Sequence, residues 1–216
     1  MAFQVSPGVQ VKEIDLTNVV PAVSTSIGAI AGAFQWGPVD EITTVGSEQQ
    51  LVNIFGKPDS DTYKYFYPAA QFLQYGNSLR VVRAITSCYN ATTSGTGILV
   101  KNDDHYDTVT PGATDTWIAR FSGKLGNSLQ VSVCPADATA FNAWAYKGSF
   151  DSVPGTSSYS TANAGDTADE MHIAVIDQDG AITGTAGTIL ETFAYVSQAS
   201  DAKADDGTDN YYANVI

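Results

Sequence analysis

The sequence predicts an α+β protein that consists of an extended N-terminal arm, a mixed α/β segment and a mostly β region of barrel or sandwich type. The first observation is an alternating run that begins directly after the turn-forming residues Ser6-Pro7-Gly8. The second is that strand and helix patterns alternate between residues 27 and 85. The third is a change near Cys88, after which strand-like runs predominate and helical periodicity is weak.

The N-terminal run "GVQVKEIDL" alternates apolar and polar side chains and slips by one position at Glu13. Its apolar members are Val9, Val11, Ile14 and Leu16. Such a slip is typical of a bulged strand at a sheet edge. Residues 1–22 are therefore expected to form an arm whose strand joins a sheet, either in a neighbouring subunit or in its own.

Residues 23–88 combine three strand signals with two helix signals. The strand signals are the small-residue run "IGAIAGAF", the short run Ile42–Val45 and "SLRVVRAI". Ser47, with Gln50 three residues later, predicts a capping box at the start of the first helix. These elements cover only part of a layer, so we expect the α/β domain to be incomplete and the native product to extend beyond Ile216.

The second helix is predicted over residues 61–75, in the most aromatic stretch of the chain, "YKYFYPAAQFLQY". Its predicted apolar stripe consists of Tyr63, Phe66, Ala70 and Leu73, with Gly76 as the C-cap. Core packing is the expected role of Phe66, Tyr67 and Leu73. Tyr63, Tyr65 and Tyr75 exceed what one stripe can bury, so a protein interface is an alternative to the core for these three.

The region 89–216 is predicted to be mostly β. Its strand-like runs are "GILV", "TWIARF", "LQVSVC", "HIAVID" and "TILETFAYVS". Asp179-Gly180 is a hairpin turn signal. The stretches "NATTSGTG" and "DSVPGTSSYSTANAGDTAD" have loop compositions.

The charge of the chain restricts its partners. Ten Lys and Arg residues against 23 Asp and Glu give a net charge of −13, which opposes direct binding to nucleic acid and to anionic membranes. The longest apolar run, 27–34, is far shorter than the about 20 residues that a spanning helix needs. We therefore expect no direct contact with nucleic acid and no membrane insertion.

No residue pattern predicts a catalytic, cofactor-binding or metal-binding site. "FGKP" and "SGKLG" lack the remaining residues of a phosphate-binding loop. The only histidines, His105 and His172, lie in the separate segments "DDHYD" and "EMHIAV", so a two-His metal helix is absent. His105 lies in the acidic run "DDHYD", where a divalent ion is the alternative to a solvated loop. Cys88 and Cys134 fit no disulfide framework and are expected to be free thiols.

Several segments together carry a family resemblance. "SPGVQVKEID", "GAFQWGP", "LVNIFGKP" and "FLQYGNSLRVVRA" resemble the N-terminal part of the tail sheath protein of contractile-tailed bacteriophages. "FSGKLGNSLQVSV", "IAVIDQDG" and "TGTAGTILETFAYVS" are similar to the β-rich segments that follow in that family. Each motif alone is weak, but their common order is specific.

The resemblance implies a structural protein and not an enzyme. Sheath subunits of this family stack as rings around a tail tube and contract to drive the tube through the host envelope for genome delivery. The implied partners are neighbouring sheath subunits, the tail tube protein, and the baseplate and tail terminator proteins. The implied location is the virion tail, after assembly in the host cytoplasm. The alternative is the sheath of a related contractile injection system, such as a phage-like bacteriocin or a secretion machine.

The resemblance also implies a domain order. Residues 1–22 would be an inter-subunit arm, and residues 23–88 would belong to an inner domain that contacts the tube. Residues 89–216 would form a β-rich outer domain, in which 89–120 is an abbreviated variable segment. In the family, a further C-terminal part completes the inner domain.

Overall fold

The computed structural model describes residues 27–93, 97–109, 116–163 and 167–216. The predicted arm, with Val9, Val11, Ile14 and Leu16, lies outside the described residues. The rest of the chain folds as a mixture of sheets and helices, as the sequence predicts. Among the described residues, no helix combines the length and apolar character that crossing a membrane requires.

The first part of the described chain is a three-stranded sheet covered by two helices. Its elements are β1 (Gly28–Gly32), β2 (Ile42–Val45), α1 (Glu48–Phe55), α2 (Tyr63–Leu73) and β3 (Leu79–Arg83). The strand order is β1-β3-β2, with β1 parallel and β2 antiparallel to β3. The three predicted strands and both predicted helices are therefore present.

The predicted cap of α1 is confirmed in its main contact. Ser47 Oγ accepts a hydrogen bond from Gln50 N at 3.2 Å. The return bond differs slightly from the expected capping box, because Gln50 Oε1 accepts from Gly46 N at 2.9 Å. The polar pair thus still satisfies two backbone donors at the start of the helix.

The bounds of α2 were predicted too wide. The helix begins at Tyr63, because Asp59 Oδ1 accepts from Asp61 N, Thr62 N and Thr62 Oγ1 and so holds these residues in a turn. It ends with Gln74 as its C-cap, and the prediction of Gly76 at that position is wrong.

One apolar core joins this sheet to both helices. Its buried residues are Phe34, Val45, Leu51, Phe55, Phe66, Ala69, Ala70, Leu79 and Val81. Leu51 and Phe55 of α1 and Phe66 of α2 face the sheet, as helical periodicity requires. This cluster fixes the orientation of α2 and therefore of its outward face.

The second part of the described chain contains a two-stranded sheet, a three-stranded sheet and four short α-helices. The elements are β4 (Asn90–Thr92), α3 (Asp103–Tyr106), β5 (Ile118–Ser122), β6 (Leu129–Pro135), α4 (Ala138–Ala143), α5 (Ser158–Ala162), β7 (Glu170–Asp177), β8 (Thr188–Ser197) and α6 (Tyr212–Val215). β4 pairs with β5, and a separate antiparallel sheet has the order β6-β7-β8. No closed barrel is formed by the described residues.

Three expectations for this region were wrong. The first is the loop composition "NATTSGTG", since its residues Asn90–Thr92 form β4. "GILV" is not a strand, since only Ile98 forms an isolated bridge, to Asn90. The loop-like "DSVPGTSSYSTANAGDTAD" contains helix α5, which starts at the cap Ser157. The cap side chain accepts from Ser160 N and is itself bonded to Asp169, so buried polar contacts hold a helix that apolar periodicity does not reveal.

Candidate functional site

The outward face of α2 is the most aromatic exposed surface of the first sheet region. Tyr63, Tyr67 and Tyr75 are 52%, 59% and 86% exposed, and Gln71 between the last two is also exposed. These four residues follow one another at intervals of four, which places them along one ridge of the helix and its final turn. We call them the tyrosine ridge.

The opposite face of α2 keeps the tyrosine ridge in place. Phe66, Ala69 and Ala70 are buried in the core beneath the helix. Phe72 packs closely over Gly28, where an added Cβ would lie 2.7 Å from the ring. The ridge is therefore presented by a helix that is anchored along its whole length.

The structure separates the three tyrosines that the sequence grouped as interface candidates. Tyr63 and Tyr75 lie on the ridge, but Tyr65 is half-buried on a different side of α2. The ring of Tyr65 covers Gly32, whose absent side chain leaves room for it, since an added Cβ would lie 2.6 Å from Tyr65 Cδ1. Lys64 Nζ lies 5.2 Å from the centroid of the same ring.

Tyr67 and Gln71 are ridge residues that sequence reasoning missed. Tyr67 was expected in the core, but it is largely exposed, and its ring meets that of Phe66 edge to face with the centroids 5.9 Å apart. The signal that identifies both residues is present in the sequence, because they continue the four-residue spacing from Tyr63. None of these contacts tests the role of Tyr63, Tyr65 and Tyr75 in an interface, which stays a prediction.

A buried arginine joins the first sheet region to the second part of the chain. Arg83 is 1% exposed, and its guanidinium donates to Phe34 O at 2.9 Å, Gly37 O at 2.8 Å and Gln35 O at 3.2 Å. It also donates to Ser122 O at 2.8 Å and to Ser122 Oγ at 3.2 Å. All five N–H groups are thus used to tie β5 to the loop after β1.

The acceptors of Arg83 are carbonyl and hydroxyl oxygens, and none of its hydrogen bonds goes to a carboxylate. Burial lowers the pKa of Arg83, against the smaller opposing effect of the nearby Cys88 thiol. An open cleft of about 740 Å³ lies beside this residue, and its wall includes Asp59, Cys88 and Lys124. Because every donor of Arg83 is already bound within the protein, the guanidinium has none left for a ligand in this cleft.

The second part of the chain buries carboxylates instead of a cation. Asp177 is fully buried and accepts from Ser128 Oγ at 2.5 Å, Thr183 N at 2.7 Å, Thr183 Oγ1 at 2.8 Å and Ile182 N at 3.1 Å. Burial alone would raise the pKa of Asp177, but these hydrogen bonds outweigh it and lower the pKa to about 2. The carboxylate therefore pins the loop between β7 and β8.

The two histidines occupy separate structural positions. His172 is fully buried, with Nε2 2.8 Å from Ser152 O and Nδ1 accepting from Tyr195 N at 3.1 Å. His105 Nδ1 accepts from Lys101 N at 3.2 Å within the turn around α3. In the described ranges, no group of three or more His, Cys, Asp or Glu side chains could hold a metal ion. Cys88 and Cys134 are free thiols.

Sequence comparison identifies proteins to which this chain is similar. A family model described as "Tail sheath protein Gp18 domain III N-terminal region" matches residues 25–84, which include the first sheet and both of its helices. A tail sheath protein of Salmonella phage ViI is 34% identical to this chain over 192 residues, or 87% of the chain. The chain is similar to phage tail sheath proteins. Tail sheath proteins of phages are structural and form part of the virion tail.

Two further tail sheath proteins give the same result. That of Enterobacteria phage T4 is 44% identical over 108 residues, and that of Vibrio phage KVP40 is 46% identical over 89 residues. These alignments cover 50% and 40% of this chain. The aligned stretch is 28% of the ViI protein, 16% of the T4 protein and 13% of the KVP40 protein, so the chain corresponds to only a fraction of each relative.

A solved structure is also similar to the chain. It is the crystal structure of a sheath tail protein from Listeria innocua, with a TM-score of 0.40 and 14% sequence identity. The match covers 78% of this chain and 26% of the Listeria protein.

Proposed function

We propose that this chain is a structural subunit of a contractile phage tail sheath. In this proposal it polymerises as stacked rings around the tail tube and contracts to drive the tube through the host envelope. The observation that carries the proposal is the 34% identity to a phage tail sheath protein along 87% of the chain. Assembly and contraction are properties of a whole sheath protein. The ViI and T4 proteins are several times longer than the stretch that aligns with this chain.

In the same proposal, residues 23–88 belong to the inner domain and residues 89–216 to the outer domain. The tail tube would lie against the inner domain, with the baseplate and the tail terminator at the two ends of the sheath. Direct contact with the genome is not part of this function, because a net charge of −13 repels phosphate.

The arm, residues 1–22, is proposed to connect neighbouring subunits by adding a strand to a neighbour's sheet. Burying its four apolar side chains would contribute about 1.5–3 kcal/mol each. Ordering eight residues costs about 1–2 kcal/mol per residue, which nearly cancels that gain. One arm is thus a weak contact, but arms repeated around a ring hold one another near their acceptors and keep subunits connected while the bodies move.

The identity of the assembly is tested on purified phage particles. Antibodies against residues 27–216 should label the outer tail along its full length in extended particles and a shorter, wider zone after contraction. Labelling of the capsid, or no labelling of a contractile tail, would contradict the proposal.

The role of the arm is tested in the full-length protein. Deleting residues 1–17 should abolish ordered tubes in electron micrographs and leave a folded monomer. The finer variant is Val9→Ser with Val11→Ser, and its matched control changes Gln10 and Lys12, on the other side of the alternating run, to Ser. If the truncated protein still assembles into contractile sheaths, the arm is not the connector.

A further inference from the structure

We propose that the tyrosine ridge of α2 is a contact surface for a second copy of this chain. The inference rests on the proposed sheath function, since it names the surface through which subunits meet in addition to the arm. Three observations carry it, namely the spacing of the ridge, its chemistry and the distribution of charge over the chain.

The geometry of the ridge suits packing against another protein. The ridge runs from Tyr63 to Tyr75, 12 residue steps that correspond to about 18 Å along a helix. Side chains at intervals of four form the ridges that helices insert into grooves of their neighbours. Because the other face of α2 is buried in the core, docking on the ridge would not require the helix to rearrange.

The chemistry of the ridge is that of an interface centre. Tyrosine is enriched in interface cores and charged residues are depleted there. The sequence of α2, "YKYFYPAAQFL", contains no carboxylate and a single cation, Lys64. All five carboxylates of residues 27–88 lie outside α2, so the helix itself adds no negative charge to the ridge.

The charge distribution indicates which partner approaches this surface. Residues 27–88 contain four Lys and Arg and five Asp and Glu, whereas residues 89–216 contain five and sixteen. A cationic partner would be attracted to the second region, with its net charge of −11. An anionic partner meets the least repulsion at the nearly neutral first region, and a second copy of this chain is such a partner.

The first experiment compares matched tyrosine variants of the full-length protein by sedimentation velocity. Tyr63→Ser with Tyr67→Ser should raise the concentration needed for half-maximal association at least tenfold. The control is Tyr89→Ser with Tyr106→Ser, because these tyrosines are 59% and 55% exposed but lie in the acidic region. Equal association of ridge variant, control and wild type would overturn the proposal, provided that circular dichroism shows all three to be folded.

The second experiment tests the sign of the partner's charge at the ridge. Gln71→Glu should weaken association of the full-length protein at low salt, with a smaller effect at high salt, because it adds a negative charge between two anionic copies. Gln71→Lys, at the same position, should leave association unchanged or strengthen it. The reverse order of the two variants would show that the ridge faces a cationic partner and would overturn the proposal.

Tyrosine nitration followed by mass spectrometry identifies what covers the ridge. We expect Tyr63, Tyr67 and Tyr75 to be reactive in the full-length monomer and protected in the assembled sheath. Protection already in the monomer would mean that another part of the same chain covers the ridge, and reactivity in the assembly would mean that nothing does. Either result overturns the ridge contact but leaves the sheath function standing, whereas a full-length chain that never assembles overturns both.

Discussion

Residues 27–88 and residues 89–216 differ in the kinds of side chain that they bury. Residues 27–88 share one apolar cluster of nine buried side chains, in which Phe55, Phe66 and Leu51 connect both helices to the sheet. Among the described residues of 89–216, the apolar cluster is smaller, with Met171, Ile173 and Val196 as its buried members, and other apolar side chains such as Phe141 and Ile176 are buried outside it. This second part also buries nine polar side chains, against two in residues 27–88. They are Asn90, Ser122, Ser128, Ser157, Ser160, Asp169, His172, Asp177 and Ser197.

This difference has consequences for how each part responds to change. An apolar core tolerates swaps that preserve volume, because its interactions are non-directional. A buried polar network loses more when one partner is removed, since the remaining donors and acceptors stay buried without hydrogen bonds. The stability of the first part should therefore respond most to changes in side-chain volume. The stability of the second part should respond most to the loss of single hydrogen-bonding atoms.

The largest expected effect is at the junction of the two parts. Arg83→Met should lower the free energy of unfolding by about 3–5 kcal/mol, because carbonyl oxygens on both sides of the junction lose a buried donor. Urea denaturation measures the change. The control is Arg80→Met on the same strand, where the exposed side chain should matter by less than about 0.5 kcal/mol. Equal effects of the two variants would show that Arg83 does not couple the parts.

The next effect concerns the fully buried carboxylate of the second part. Asp177→Ala should cost about 3 kcal/mol, since the Ser128 hydroxyl and the backbone donors of Ile182 and Thr183 lose their acceptor. Thermal unfolding at neutral pH measures this loss. An effect below that of removing an exposed hydrogen bond would contradict the view that the polar network stabilises this region.

The same carboxylate predicts a pH dependence with a definite sign. The pKa of Asp177 is about 2 in the folded protein and below its value in an unfolded chain, about 3.9. Its ionised form therefore stabilises the fold above about pH 4, and this contribution is lost as the pH falls towards 2. The stability difference between wild type and Asp177→Asn should shrink over that range. A difference that stays constant from pH 6 to pH 2 would show that ionisation of Asp177 is irrelevant.

The contrast between the parts also explains what the sequence predicted. In the first part, periodicity and the Ser47 cap are local signals, and they placed three strands and two helices correctly. In the second part, Ser157, Ser160 and Asp169 look like loop residues, because their burial depends on partners far along the chain. The bounds of α2 failed for a similar reason, since the turn at Asp59 competes with the helix.

The candidate interface was only partly visible in the sequence. An excess of tyrosines over one apolar stripe was apparent, and it led to Tyr63, Tyr65 and Tyr75. Which of these tyrosines is covered depends on Gly32 in β1, because this residue makes room for the ring of Tyr65. Such a long-range contact has no signature in the helix itself, whereas the spacing that adds Tyr67 and Gln71 does.

Ser47 caps α1 in the first part and Ser157 caps α5 in the second, so the effect of the same substitution can be compared between the two parts. Ser157 is 3% exposed, and its Oγ accepts from Ser160 N at 3.0 Å and donates to Asp169 Oδ2 at 2.8 Å. Ser157→Ala therefore removes a helix cap and one donor of a buried carboxylate, and it should cost about 2 kcal/mol. Chemical denaturation of this variant provides the value with which the cap in the first part is compared.

The smallest effect is expected at Ser47, which has the same role in the nearly neutral part. Its exposed Oγ accepts from Gln50 N at 3.2 Å, and this bond caps α1. Ser47→Ala should cost about 0.5–1 kcal/mol, because water can replace the lost acceptor and the apolar core beneath α1 remains intact. Ser47→Asn is the matched control, since asparagine caps as well as serine and should restore wild-type stability. If Ser47→Ala and Ser157→Ala lowered the free energy of unfolding equally, burial in the polar network would add nothing to the stabilising effect of a helix cap. The two parts would then not differ in the way that their buried residues indicate.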